Sequence, residues 1–135
     1  MTNLESVKNR LHETNASLVV GYANGEMKEY YSKRVIDIKN ILKEDKNALK
    51  DAVIADKVIG KVAGTLLSVA GVKEIYTDVM SKYAIRVLEK TGVRYEFSQK
   101  VDYIINETKT GMCPMENKYK DENDLDKIYN EIMAI

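Results

Sequence analysis

The chain has one cysteine, one proline and one histidine among its 135 residues, and the scarcity of thiol and imidazole excludes whole classes of protein. A single thiol cannot close an intramolecular disulfide, so no disulfide framework supports the fold. A zinc site takes about four Cys, His or carboxylate ligands, and one cysteine with one distant histidine is poor material for it. Serine-triad hydrolysis would have to use His12 as its base, and no Gly-x-Ser-x-Gly elbow occurs. Neither sign of charge dominates. The 21 Lys and Arg residues are matched by 21 Asp and Glu residues. That balance removes the broad positive footprint of a duplex-binding protein, so nucleic acid is not an expected partner. No apolar run approaches the ~18 residues of a membrane span. The opening MTNLESVKNRLHE is charged and amphipathic, with no apolar signal core. A cytoplasmic protein without a membrane partner is the expectation, and self-association stays open.

What is there reads as one domain, residues 1–135, with 44% hydrophobic and 31% charged residues. Leu4, Val7 and Leu11 recur at helical spacing and predict an N-terminal helix within residues 1–15. Two β-rich runs then flank Asn24-Gly25, a dipeptide that favours a tight hairpin. Val35, Ile38 and Leu42 share one face of a second helix. From residue 51 short strands and helices alternate: a brief strand in DAVIA, a helix over Asp56–Ala70 stopped by Gly71, and a strand in VKEIYTDV. A helix capped by Ser81 and ended by Gly92 follows, then a strand in VRYEF and a short helical turn in VDYIINETKTG. The last helix, within residues 121–134, opens with Asp121, Glu122 and Asp124, which suits the positive end of its dipole. Helices between short β runs require crossovers and hence parallel pairing. The hairpin joined to that section predicts an α/β fold, a three-layer α/β/α sandwich with a mixed sheet.

Two stretches carry candidate chemistry. In ADKVIGKVAG, Lys57 and Lys61 would lie four apart in the first turns of the predicted helix, where they oppose its dipole and repel each other by roughly 0.2–0.5 kcal/mol. A bound anion would offset both costs. Gly60, Ala63 and Gly64 add a small-residue surface that a ligand or another backbone can approach. On the other reading Asp56 caps the helix, both lysines are solvated and the glycines serve packing. The stretch is no Walker A loop, which needs Gly in place of Ala55 and Ser or Thr in place of Val62. The second stretch, GMCPME at residues 111–116, holds the only cysteine and the only proline. Cys113 is either a nucleophile, with Glu116 beside it, or a small buried hydrophobe in a turn that Pro114 stiffens. A redox-sensor role lacks a resolving cysteine.

ADKVIGKVAG, GVKEIYTDVMSKYAIRVLEKTGV and VDYIINETKTGMCPME, in that order, resemble domain-of-unknown-function family 1893, a family of small prokaryotic proteins. SLVVGYANGEMKEYYSKRVIDIKNIL fits its usual hairpin and following helix, so the likeness spans about residues 16–117. The resemblance implies a cytidine-deaminase-like fold. In zinc deaminases the helix matching Asp56–Ala70 opens with His- or Cys-x-Glu, and the next one opens with Pro-Cys-x-x-Cys. Here those places read ADKVIGK and DVMSKYA. Every zinc ligand and the acid/base glutamate are missing, so the resemblance does not carry zinc-dependent deamination, and no metal or cofactor is implied.

What the resemblance does imply is a cleft where the helix starts near Asp56 and Ser81 come together. Asp56, Lys57, Gly60, Lys61 and Ser81 would line it as a site for a small anionic or nucleotide-like ligand, with Cys113 and Glu116 supplying any chemistry. The competing expectation is a non-catalytic structural or protein-interaction module in which the same motifs pack and cap.

Overall fold

Asn24 and Gly25 sit where the chain first reverses. Gly25 takes φ +95°, the left-handed region that glycine enters without strain. The Glu26 amide donates to Asn24 Oδ1 at 2.9 Å, and the Tyr22 amide donates to the Glu26 carbonyl at 2.8 Å. The turn sets an antiparallel register from Leu18↔Tyr30 to Gly21↔Met27 between β1 (Leu18–Gly21) and β2 (Met27–Tyr30). The computed structural model describes residues 3–32, 35–106 and 108–135. α1 (Leu4–Glu13) precedes the hairpin and α2 (Ile36–Glu44) follows it. Then come β3 (Val53–Ile59), α3 (Lys61–Val69), β4 (Glu74–Ser81), α4 (Lys82–Thr91) and β5 (Arg94–Val101), and the chain closes with α5 (Pro114–Tyr119) and α6 (Leu125–Met133).

The strands form one mixed sheet in the order β2-β1-β3-β4-β5. β1 runs antiparallel to both neighbours, while β3, β4 and β5 are parallel and joined through α3 and α4. Side-chain alternation along the strands separates two buried clusters. Val19, Val53, Ala55 and Tyr76 meet Val7 and Leu11 of α1. Leu18, Val20, Ile54 and Ile75 meet the larger cluster, which contains Ile38 of α2, Leu66 of α3, Leu88 of α4 and Ile128 of α6. Each of those fully buried aliphatic chains contributes roughly 1.5–3 kcal/mol relative to exposure. Alternation then breaks. No Cα pairing joins Lys57 to Asp78, and beyond that level Ile59 and Met80 enter the larger cluster instead of the smaller one. Asp56 lies just before the break and shares the parity of Ile54.

At α4 the caps match the expectation. Ser81 Oγ accepts the Ala84 N–H at 3.2 Å at the start of α4, and Gly92 ends that helix at φ +78°. The boundary between β3 and α3 does not match. Asp56 and Lys57 are strand residues, and the helix starts at Lys61 behind Gly60. Val58 and Ile59 suit either period, and the ladder settles the matter by pairing Val58↔Val79 and Ile59↔Met80. Lys57 and Lys61 are therefore not helical neighbours, and Asp56 caps no helix. Residues 102–106 and 108–113 form an irregular reversal instead of a helical turn. Ile105 bridges Met112, the Asn106 amide donates to the Gly111 carbonyl at 2.9 Å, and α5 begins directly after it. α6 starts at Leu125, where Asp124 Oδ1 accepts the Lys127 N–H at 3.1 Å. Among the described residues no helix is long and apolar enough to cross a membrane.

Candidate functional site

The start of α3 is an anion-binding position, because the first amides of a helix have no partner within it. The chain fills that position with its own carboxylate. Pro114 occupies the first turn of α5, where its missing N–H costs nothing. The Cys113 amide anchors the turn by donating to the Ile104 carbonyl at 2.7 Å. Glu116, 2% exposed, then reaches back to α3. Its Oε1 accepts the Lys61 N–H at 2.7 Å and the Ser81 hydroxyl at 2.8 Å, and its Oε2 accepts the Ile104 N–H at 2.5 Å. The two helix starts are thus brought together, but a side-chain carboxylate lies between them. Gly60 is what lets it in: a Cβ there would lie 2.9 Å from both Glu116 Oε1 and Ile104 Cγ1.

The Lys61 amine points away from this position. It donates to the Lys120 carbonyl at 3.0 Å and to the Glu122 carbonyl, so it closes the carbonyl end of α5. Burial lowers its pKa, opposed by Asp121 and Glu122. Lys61 therefore grips both ends of α5, with its amide through Glu116 and with its amine beyond Tyr119.

Beside this arrangement lies a cavity of about 430 Å³. β3 and the start of α3 give one wall, with Asp56, Lys57, Val58, Gly60, Lys61 and Val62. Ile104, Ile105, Cys113, Met115 and Glu116 give the other, and Ser17, Val35, Asn106 and Lys109 complete it. Among these, Asp56 is the unusual group. It is 7% exposed, and the Val58 N–H reaches its Oδ1 at 3.3 Å. Burial pushes its carboxyl up to about 7, drawn back by the Val58 and Lys57 amides and raised further by Asp37 and Asp78. Lys57 is exposed at the rim, its amide donating to the Ser17 carbonyl at 3.1 Å.

Of the residues singled out in the sequence, Asp56, Lys57, Gly60, Lys61, Cys113 and Glu116 line the cavity, whereas Ser81 stands behind it, bonded to Glu116. His12 is not on the lining: its Nε2 lies 2.7 Å from Asp78 Oδ1. Ser17, Val35, Lys109 and Met115 come to the cavity from segments that no local pattern ties to Asp56. For the second wall the signal in the sequence was GMCPME, which supplies Cys113, Met115 and Glu116. Among the described residues no group of three or more His, Cys, Asp or Glu side chains could hold a metal ion.

The fold that carries this cavity has a counterpart among solved structures. A crystal structure of a DUF1893 family protein from Thermotoga maritima superposes with a TM-score of 0.88, covering 99% of this chain and 90% of that one at 21% identity. At that identity the likeness is one of fold. None of the curated proteins matches the chain. The family model described as "Domain of unknown function (DUF1893)" matches residues 6–134. With nearly the whole length accounted for, the chain belongs to the DUF1893 family.

Proposed function

We propose that this protein binds a small anionic or nucleotide-like molecule in the cavity beside β3, and that its fold is a three-layer α/β/α sandwich of the cytidine-deaminase-like kind. The observation that carries the reading is the cavity itself. Its volume, about 430 Å³, falls within the ~300–1,000 Å³ typical of small-molecule sites. It opens beside the carboxyl end of a parallel strand, where α/β sheets hold their ligands. It also combines aliphatic walls with two shielded carboxyls, of which Glu116 is taken up by Lys61, Ser81 and Ile104 and Asp56 is not. The ligand lies beside the start of α3 and not on it, since Glu116 takes that place. Lys57 and Lys109 supply positive charge, Gly60 keeps the wall thin, and Ser81 holds Glu116 in position. Cys113 is the thiol nearest any chemistry there. The cytoplasmic setting argued from composition accompanies this reading.

A non-catalytic packing or interaction module is favoured by one observation: both the Glu116 carboxylate and the Lys61 amine are spent on the chain's own groups. Thermal unfolding with a panel of nucleosides, nucleotides and phosphosugars separates the two. At a hundredfold excess over Kd, a ligand adds about 2.7 kcal/mol, roughly 10 °C in midpoint for a domain of this size. A midpoint unmoved across the panel favours the module.

A further inference from the structure

Resting on the cavity reading above, we infer that the ligand is dipolar and lies with nitrogen inward: an amine or amidine N–H group meets Asp56, and a carboxylate or phosphate stays at the mouth with Lys57 and Lys109. The polarity of the cavity wall is the basis. Asp56 lines the cavity, is 93% shielded, and faces only backbone amides among the described residues: the Val58 N–H reaches its Oδ1 at 3.3 Å, and the Lys57 amide also lies against the carboxyl. A carboxylate offers about four acceptor sites, so two amides leave capacity for a guest in the cavity it lines. An anion seated against it meets like charge wherever the carboxyl is ionised, whereas an N–H group finds an acceptor oxygen in either protonation state. An N–H donor there is paired and desolvated at once.

The outer end has the opposite sign. Lys57 and Lys109 both line the cavity, both are exposed, and neither amine makes an ion pair with a described residue. Between the two ends the walls are aliphatic, with Val62, Ile104 and Met115, Val58 is exposed toward the mouth, and among the described residues no aromatic ring lines the cavity. The body of the ligand is therefore held by shape. The same chemistry, N–H at one end and an anion at the other, occurs in ω-amino acids and in nucleotides whose base carries an exocyclic amine.

Titration calorimetry on the intact protein tests this with four probes: 6-aminohexanoate, cytidine 5′-monophosphate, hexanoate and hexylamine. At least one dipolar probe binds about tenfold or more tightly than either single-ended one, and which of the two does so identifies the source. Asp56→Asn weakens that probe about tenfold and leaves hexanoate unchanged. Lys57→Gln/Lys109→Gln, at two exposed positions, weakens the same probe from its other end, and this arm decides if Asp56→Asn fails to fold. Hexanoate binding as well as the dipolar probes, with Asp56→Asn without effect, overturns the inference. In that case loss of hexanoate binding in Val58→Trp, which blocks the mouth, leaves the cavity reading standing. No binding by any probe, or binding that survives Val58→Trp, overturns both.

Discussion

Glu116 and Gly60 are in a contact that leaves no room for a side chain at residue 60, since a Cβ there would stand 2.9 Å from Glu116 Oε1. Such a clash is cheap when the opposing atom ends a flexible chain. This one does not give way, because Lys61 N–H, the Ser81 hydroxyl and Ile104 N–H hold the carboxylate in place. Gly60→Ala therefore lowers stability by about 1–3 kcal/mol. Urea unfolding of Gly60→Ala, Glu116→Ala and the double variant measures the coupling. A strictly additive cycle would show that the two residues do not confront each other.

Glu116→Gln keeps the shape and loses the charge. One amide oxygen can still accept, but the NH2 group must face either Ile104 N–H or the Lys61 and Ser81 donors. Donor set against donor costs about 1–3 kcal/mol. A denaturation midpoint equal to that of the parent chain would show that the carboxylate is not required there.

Ser81 has two tasks, accepting from Ala84 N–H and donating to Glu116. Ser81→Ala removes both and costs about 1–2 kcal/mol for the cap alone, with a further loss at Glu116. Amide exchange reports where the loss falls: protection at Ala84 and at Lys61 should drop together. A drop at Ala84 alone would separate the cap from the carboxylate.

Asp56 makes stability depend on pH in an uncommon direction. Its folded pKa, about 7, lies above the ordinary 3.8, so the native state holds a proton that the unfolded chain releases. The Asp56 contribution to stability is greatest below about pH 4, falls by up to about 1.4 kcal/mol per unit as pH rises toward about 7, and is level above. Asp37 and Asp78 add to the effect from α2 and β4, and the Val58 and Lys57 amides oppose it. Asp56→Asn abolishes the slope and is the more stable form at pH 8. Urea midpoints at pH 5, 6, 7 and 8 suffice, and an unchanged slope in the variant would exclude Asp56 as its source.

The elements legible in the sequence are those set by neighbours along the chain. Asn24-Gly25 makes its own turn, and Ser81 and Gly92 bound α4 through contacts within a few residues. The register of β3 is different in kind. Asp56 to Ile59 could satisfy a helix as well as a strand, and pairing with β4, which the local pattern does not encode, decides it. The site repeats the contrast. Asp56, Gly60 and Lys61 stood out by type and spacing, but the bond from Lys61 to Glu116 spans 55 residues and that from Ser81 to Glu116 spans 35. Nothing in GMCPME announces that its glutamate takes the place an anion would otherwise fill. The Lys57–Lys61 pair was misleading because its repulsion exists only if both residues belong to one helix.

The double grip of Lys61 on α5 has a consequence for how the cavity meets a guest. A helix of six residues cannot hold itself together in water, yet this one is pinned near its start through Glu116 and just past its end at Lys120 and Glu122. The wall carrying Cys113 and Met115 is thereby preorganised. Little conformational entropy remains to be lost when the space is filled.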